Sequence, residues 1–241
     1  MNTEYAIELE NVSYSDGPLK IIKNVSGSFR KGKITSLVGP SGAGKTTLFR
    51  LCNGLISPTH GTISIYSKNV QEYEPTKLRR NVGLALQNAT MLQGTVYKNL
   101  QLPRTLAGET LTEDEAADLL TKVSLDKDLL KRDVGDLSGG QRQKVSIART
   151  LVNQPEILLL DEITSSLDRV STNDIENLIE KINKENGVTI IWITHNLNQA
   201  TQIGDDTWVM MNGELIESGP SSLLKNPENE KVKQFAKGDF I

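Results

Sequence analysis

Residues 39–46 read Gly39-Pro-Ser-Gly-Ala-Gly-Lys45-Thr46 and fit the phosphate-loop pattern G-x-x-x-x-G-K-[ST]. The apolar run before them, residues 33–38, predicts a short buried strand, and residues 46–52 after them predict a helix. A glycine-rich turn in that position can point successive backbone N–H groups at phosphates, at the positive end of the helix dipole. Lys45 would reach the β- and γ-phosphates, and the Thr46 hydroxyl would ligate Mg²⁺. A turn without a ligand is the alternative. The strand and helix favour a nucleoside triphosphate site, whose predicted binding residues are Gly39, Pro40, Ser41, Gly42, Ala43, Gly44, Lys45, Thr46 and Thr47.

The composition limits the classes of protein to which the chain can belong. Its 241 residues suffice for one large α/β domain or two small ones, and its net charge is -3. This charge and the lack of a long basic run argue against a nucleic-acid partner. The longest apolar runs, such as residues 157–160 and 188–193, are far shorter than the ~20 residues of a membrane-spanning helix, and residues 1–8 do not resemble a signal peptide. We therefore expect a soluble, cytoplasmic chain.

The first half of the chain predicts a β layer followed by a helical insertion. Residues 6–12, 21–29 and 61–66 carry the alternation or β-branched content of strands. In the middle, Thr112 and Glu115 have the spacing of a capping box that opens a helix. A helical insertion is therefore expected between two parts of the nucleotide-binding fold.

The second half predicts alternating strands and helices. Residues 157–160 and 188–193 read as buried strands, and residues 174–184 between them read as an amphipathic helix. Strands that alternate with helices predict a mainly parallel sheet covered on both faces. The chain is therefore expected to be an α/β protein with one domain over residues 1–241, because the segment after residue 220 is too short for a second one.

Two adjacent carboxylates, Asp161 and Glu162, follow the apolar run at residues 157–160. Side chains alternate along a strand, so the two acids face different directions and can have different roles. Asp161 suits the metal shell, directly or through water, and Glu162 suits the general base that activates the attacking water. A solvated turn is the alternative for such a pair, but the phosphate loop upstream favours the second half of an ATPase site.

A further motif, Leu137-Ser-Gly-Gly-Gln141, precedes a predicted helix and then the strand that ends in Asp161. Alone it could be an ordinary serine-capped helix start. In this position it resembles the signature sequence of ATP-binding cassette proteins. Other elements of that family occur in order: Tyr14 resembles the aromatic residue that stacks on adenine, Gln87 the glutamine loop, Ser165-Ser-Leu-Asp168 the dimer-contacting loop, and His195 the switch histidine.

The resemblance covers essentially the whole chain and implies both a fold and a site. The fold would be a P-loop NTPase (RecA-like) core with an antiparallel β layer and a helical signature subdomain at roughly residues 88–150. The implied catalytic residues are Glu162, His195, Lys45 and Gln87, and the implied ligands of Mg²⁺ are Thr46, Gln87 and Asp161. ATP would be sandwiched in a homodimer or paired cassette, with the signature residues coming from the partner. The additional nucleotide-binding residues are Tyr14, Ser138, Gly139, Gly140, Gln141 and Asp168. The chain departs from the family pattern at Ser166, where alanine is usual, and at Ile163, where proline is frequent.

The family resemblance leaves three classes of protein open. They are the energising subunit of a membrane transporter, a soluble cassette protein of translation or DNA repair, and a cassette ATPase of iron–sulfur assembly. Translation-type members usually carry two cassettes and repair-type members carry long coiled coils, whereas this chain has one cassette and no heptad stretch. The transporter interpretation implies a separate permease and a peripheral position on the inner face of the cell membrane.

Two segments suggest a substrate and a partner surface. Residues 87–100 and 161–165 resemble two-gene bacterial systems linked to iron export or metal resistance. Residues 87–99 are also expected to contact the permease, because Met91, Leu92 and Val96 are taken as exposed apolar side chains with few charges around them.

Overall fold

The computed structural model describes residues 4–238, which form two β-sheets with helices packed around them. The strands are β1 (Tyr5–Asp16), β2 (Leu19–Arg30), β3 (Ile34–Val38), β4 (His60–Ile65), β5 (Lys68–Asn69), β6 (Val82–Ala85), β7 (Ile157–Asp161), β8 (Thr189–Ile193), β9 (Asp206–Met211) and β10 (Glu214–Pro220). The helices are α1 (Lys45–Cys52), α2 (Pro75–Asn81), α3 (Val96–Leu106), α4 (Glu113–Lys122), α5 (Gly139–Leu151), α6 (Arg169–Asn186), α7 (Leu197–Ile203) and α8 (Glu230–Lys237).

The central sheet has the strand order β10-β9-β3-β8-β7-β6. All its pairings are parallel except that of β9 with β10. Every residue of β3, β7 and β8 is buried, because helices such as α5 and α6 cover one face of the sheet, and α1 together with the strands β1, β2 and β4 covers the other. The carboxyl ends of these three strands meet at one edge, and the segments that follow them carry Gly39, Glu162 and His195. The predicted parallel sheet is confirmed.

The second sheet is antiparallel, with the order β2-β1-β4-β5. It is fastened to the central sheet by Phe29 of β2, whose ring stacks on Trp208 of β9 with centroids 4.1 Å apart. Next to this stack, the Arg30 guanidinium donates two 2.7 Å hydrogen bonds to the Asp206 carboxylate. The predicted β layer is therefore present, and it is held beside the strand that leads into the phosphate loop.

Helices α3, α4 and α5 lie in the chain between β6 and β7. The capping box predicted for α4 is present: the Thr112 hydroxyl accepts from the Glu115 N–H, and the Glu115 carboxylate accepts from the Thr112 N–H at 2.8 Å. The buried face of α4 packs into the cluster formed with α3 and α5, through Ala116, Leu119 and Leu120. No helix in the described part of the chain combines the length and the apolar character needed to cross a bilayer.

The structure differs from the sequence-based predictions in several places. Strands β9 and β10 were not predicted. Helix α6 begins at Arg169 rather than at residue 174, because the Asp168 carboxylate accepts hydrogen bonds from the N–H groups of Val170 and Ser171 and so caps an earlier start. The expected exposure of Val96 is wrong: it is the first residue of α3 and is fully buried. Met91 is half-buried against the helical core, and only Leu92 is exposed as expected.

Candidate functional site

The phosphate loop joins β3 to α1, as the pattern predicts. Gly39 has a φ of 145°, and a Cβ there would collide with the Met210 carbonyl oxygen of β9. Gly44 caps α1 with a φ of 95°, and a Cβ there would lie 2.8 Å from Ile22 Cδ1. Only glycine fits both positions, because backbone or side chains from the two sheets approach the loop directly.

Lys45 is held inside the loop. Its side chain is almost fully buried, and its ammonium group donates to the carbonyl oxygens of Gly39 at 2.8 Å and Pro40 at 2.9 Å. Burial lowers the pKa of Lys45, while the charges of Glu162 and Asp161 act in the opposite direction. The amine therefore lies in the loop that the sequence predicts to hold phosphate, close to both carboxylates.

Thr46 and Asp161 meet across the start of α1 and the end of β7. The Thr46 hydroxyl donates to Asp161 Oδ1 at 3.2 Å. Burial raises the pKa of Asp161, and the hydrogen bond from Thr46 opposes that shift. Adjacent hydroxyl and carboxylate oxygens suit a hard cation such as Mg²⁺. Within residues 4–238 no group of three or more His, Cys, Asp or Glu side chains lies close enough together to hold a metal ion.

Glu162 is the first residue after β7 and has a φ of 51°, in the left-handed region. Its N–H donates to the Ile193 carbonyl at 3.1 Å, which ties it to the end of the neighbouring strand β8. Two residues past that strand, His195 Nε2 lies 2.6 Å from Glu162 Oε1. The structure thus brings together the predicted base and the predicted switch histidine.

Gln87 follows β6 and reaches the loop after Glu162. Its Nε2 donates to Ser165 Oγ at 3.0 Å, and Ser165 Oγ donates to the Glu162 carbonyl at 2.9 Å. The amide nitrogen of Gln87 is therefore engaged with the loop, and the amide oxygen is the atom that suits a metal ion or a water molecule.

Tyr14 lies on β1, beside the phosphate loop. It is directly opposite Ile22 in the β1–β2 register, and Ile22 is the residue that approaches Gly44. The Tyr14 side chain is half-buried against the β layer.

The signature residues form the start of α5. The Ser138 hydroxyl accepts from the Gln141 N–H at 3.2 Å, and Gln141 Oε1 accepts from the Ser138 N–H at 2.9 Å. This turn packs against the start of α6, since a Cβ on Gly140 would lie 2.8 Å from Ser171 Oγ, and Ser171 hydrogen-bonds to Asp168. Residues 138–141 and Asp168 are therefore brought together, but no hydrogen bond in the described chain joins them to the phosphate loop.

Sequence reasoning missed Gln199, a buried polar residue of α7. Its Nε2 donates to Glu176 Oε1 at 2.7 Å and to Thr164 Oγ1 at 3.3 Å. The only sequence signal was its place one helical turn after His195. The two acceptors are far away in the chain, so the contact could not be anticipated.

A protein-family comparison identifies the family to which the chain belongs. The family described as "ABC transporter" matches residues 22–165, a stretch that contains the phosphate loop, the signature and Glu162. It covers more than half of the chain.

Two curated relatives match nearly the whole chain. The "Putative ABC transporter ATP-binding protein YjkB" of Bacillus subtilis is 43% identical over 219 residues, which cover 90% of this chain and 87% of that protein. The "Methionine import ATP-binding protein MetN 1" of Bacillus cereus is 39% identical and covers 97% of this chain and 70% of that protein.

Two solved structures share the fold. CbiO1 from Clostridium perfringens, described as part of the ABC transporter complex cbiONQ, superposes with a TM-score of 0.85 at 27% identity and covers 96% of this chain and 95% of that one. The cassette MJ0796, solved as a dimer in a post-hydrolysis state with ADP and Pi, gives a TM-score of 0.78 at 29% identity and covers 89% and 98%. These relatives, the family match and the loop geometry agree: the chain belongs to the ABC transporter family as an ATP-binding subunit, and it is an ATPase.

Proposed function

We propose that this ATPase drives a separate membrane permease, and that two cassettes close around two ATP molecules to do so. The observation that carries the proposal is the arrangement of the motifs. The phosphate loop, Asp161 and the Glu162–His195 pair lie at one edge of the central sheet, whereas residues 138–141 contact α6 instead. One chain therefore carries the two different halves of a nucleotide site at separate places, and a second chain would be needed to join them.

The roles of the residues follow from their positions. Lys45 neutralises the β- and γ-phosphates once it leaves its carbonyl partners, and Tyr14 stacks on the adenine. Mg²⁺, held by Thr46, Asp161 and Gln87, would supply charge neutralisation to the phosphates. Glu162 accepts the proton of the attacking water, and His195 orients the Glu162 carboxylate or, once that contact is released, donates to the γ-phosphate.

The second half of each site would come from the partner cassette. In α5, the N–H groups at Gly139 and Gly140 follow the Ser138 cap at the positive end of the helix dipole, where anions bind. The dimeric state described for MJ0796 supports this arrangement. Asp168 stands at the start of the adjacent helix and would lie at the same interface.

The permease would dock on a groove of about 300 Å³ between α2, β6, α3 and α5. Its lining combines apolar and basic side chains, among them Arg79, Arg80, Leu84, Leu102, Leu106 and Arg149. Leu106 is 78% exposed, and the Arg149 guanidinium donates to the Thr90 carbonyl at 2.8 Å, which connects the groove to residues 87–99. Apolar side chains rimmed by arginines suit a permease segment with an apolar face and flanking carboxylates. Such docking would hold the chain against the inner face of the membrane.

The described relatives support ATP-driven transport but not a metal substrate. One is described as a methionine importer, another as part of the complex cbiONQ, and neither is described as an exporter of iron. We therefore assign neither a substrate nor a direction of transport.

The docking surface is tested with the permease that co-purifies with the chain, reconstituted with it in vesicles. Leu92, 43% exposed within residues 87–99, and Leu106 of the groove are each changed to Glu; the matched control is Leu19→Glu, at an exposed leucine of β2 that does not line the groove. A buried charge in an interface should weaken permease binding by at least roughly tenfold and lower transport in parallel, while the isolated subunit still binds ATP. Unchanged binding by both variants would rule out this surface.

A further inference from the structure

Gln199 lies on one of the segments next to the candidate site and contacts two others. It lies on α7, which starts directly after His195 and Asn196. Its acceptors are Thr164, two residues after Glu162, and Glu176, on α6 beyond the Asp168 cap. One side chain therefore links the histidine segment, the carboxylate segment and the helix that leads from the predicted dimer-contacting loop.

This contact requires an N–H donor at position 199; the Gln199 Oε1 atom is buried and has no hydrogen-bond partner among the described residues. The Glu176 carboxylate can only accept a hydrogen bond, so the Gln199 nitrogen must face it, and its second hydrogen then points at Thr164 Oγ1. The side chain is only 2% exposed. A glutamate in its place would set two carboxylates against each other, and an apolar residue would leave the partly buried Glu176 without this donor.

The neighbouring catalytic contact depends on the same segments. The 2.6 Å contact between His195 Nε2 and Glu162 Oε1 requires the residues after β7 and β8 to keep a fixed separation. Gln199 lies four residues after His195 and donates a hydrogen bond to Thr164, which lies two residues after Glu162. Its side chain therefore joins those two segments. A shift of about 1 Å in a positioned catalytic group can cost on the order of a hundredfold in rate.

We infer that Gln199 is a positioning residue for ATP hydrolysis, which holds α7 against the loop after Glu162 and so maintains the Glu162–His195 contact. This inference rests on the proposed roles of Glu162 and His195. It also predicts that α6 and its Asp168 cap move together with these two residues, because Glu176 belongs to the same hydrogen-bonded group.

The test compares three forms of the full-length chain: Gln199→Met, Gln199→Glu, and Gln199→Glu combined with Glu176→Gln. The double variant exchanges donor and acceptor, and the Thr164 hydroxyl can donate as well as accept. The matched control is Gln202→Met, at an exposed glutamine on the same helix. Steady-state kcat and KM, the Kd of a fluorescent ATP analogue and the thermal unfolding midpoint are measured for each.

We expect both single variants to lower kcat by at least about tenfold with KM and Kd nearly unchanged. The double variant should recover part of that loss, because it restores the donor–acceptor pair but buries a carboxylate at position 199. Unchanged kcat in Gln199→Met would overturn the inference. The inference would also be overturned if kcat fell only together with folding or ATP binding and the double variant did not recover it. That pattern would describe a residue with a purely structural role.

Glu162→Gln is assayed in parallel to separate the two proposals. If it hydrolyses ATP normally, the assignment of the site fails together with the role of Gln199. If it abolishes turnover while the Gln199 variants remain active, only the inference about Gln199 fails.

Discussion

His195 Nε2 lies 2.6 Å from Glu162 Oε1, across the ends of the two adjacent parallel strands β7 and β8. The register places Asp161 opposite Ile193, so the second residue past β8 meets the first residue past β7. A carboxylate with a fixed partner needs little reorganisation when water and phosphate arrive. This arrangement, a base oriented by a neighbouring group, is the one that general-base catalysis requires.

The first prediction concerns Glu162→Gln. Glutamine keeps the shape and can still bond to His195, but it cannot accept the water proton. Turnover should fall by at least roughly a hundredfold, the scale of losing a general base, while ATP affinity stays nearly intact. A phosphate-release assay and titration with a fluorescent ATP analogue measure the two quantities. Near-normal hydrolysis would remove Glu162 from this role.

The second prediction concerns Lys45→Ala. The substitution removes the ammonium group that now bonds to the Gly39 and Pro40 carbonyls and that we expect to bind phosphate. Nucleotide affinity should weaken by about tenfold or more, the scale of a lost charge-assisted hydrogen bond, or hydrolysis should be abolished. The control is Lys33→Ala, whose side chain pairs with Asp205. If both binding and hydrolysis persist in Lys45→Ala, the loop is not the site.

The third prediction concerns Asp161→Asn and pH. Burial raises the pKa of Asp161 in the folded chain above its unfolded value. The folded state therefore binds the proton more tightly than the unfolded state does. As pH rises from the unfolded pKa through the folded pKa, the contribution of Asp161 to the free energy of unfolding falls, and it stays low at higher pH. Asp161→Asn should raise the unfolding temperature of the nucleotide-free chain at neutral pH, and the gain should vanish in acid.

The same substitution should have the opposite effect on the liganded chain. If Asp161 helps to hold Mg²⁺, Asp161→Asn should lose most of the rise in unfolding temperature that Mg²⁺ and ATP together produce in the parent. Thermal scans with ATP in the presence of Mg²⁺ or of a chelator measure it. An equal rise in both proteins would exclude Asp161 from the metal shell.

The fourth prediction concerns the composite site. In the Glu162→Gln background, where ATP persists, the chain should form an ATP-dependent dimer on size exclusion. Adding Ser138→Arg places a bulky side chain at the start of α5 and should keep the chain monomeric, with monomer ATP affinity almost unchanged.

Loss of the helix cap needs its own control for this prediction. The Ser138 hydroxyl caps α5 through the Gln141 N–H, and removing such a cap costs about 1 kcal/mol. Ser138→Ala loses the cap without adding bulk, so unfolding temperatures of the two variants separate the effects. A dimer of Ser138→Arg as stable as the parent's would mean that the signature does not complete the partner's site.

Local motifs were predictable because neighbouring residues alone determine their geometry. The phosphate loop needs only a strand, a glycine-rich turn and a helix in succession, and the Thr112–Glu115 capping box closes within one helical turn. Val96 shows the limit of this reasoning. Its neighbours predict an exposed apolar side chain, but α3 packs against α5, a helix far along the chain, and buries it.

The sequence by itself determined the family, the phosphate loop and the identity of the acidic pair, because each is a run of consecutive residues with a fixed local shape. Only the tertiary structure decided which groups meet: the parallel pairing of β7 with β8 brings His195 to Glu162, and the packing of α7 against β3 brings Gln199 within reach of Glu176. Such contacts join residues distant in the chain, and strand pairing and helix packing, rather than local propensity, set their separation.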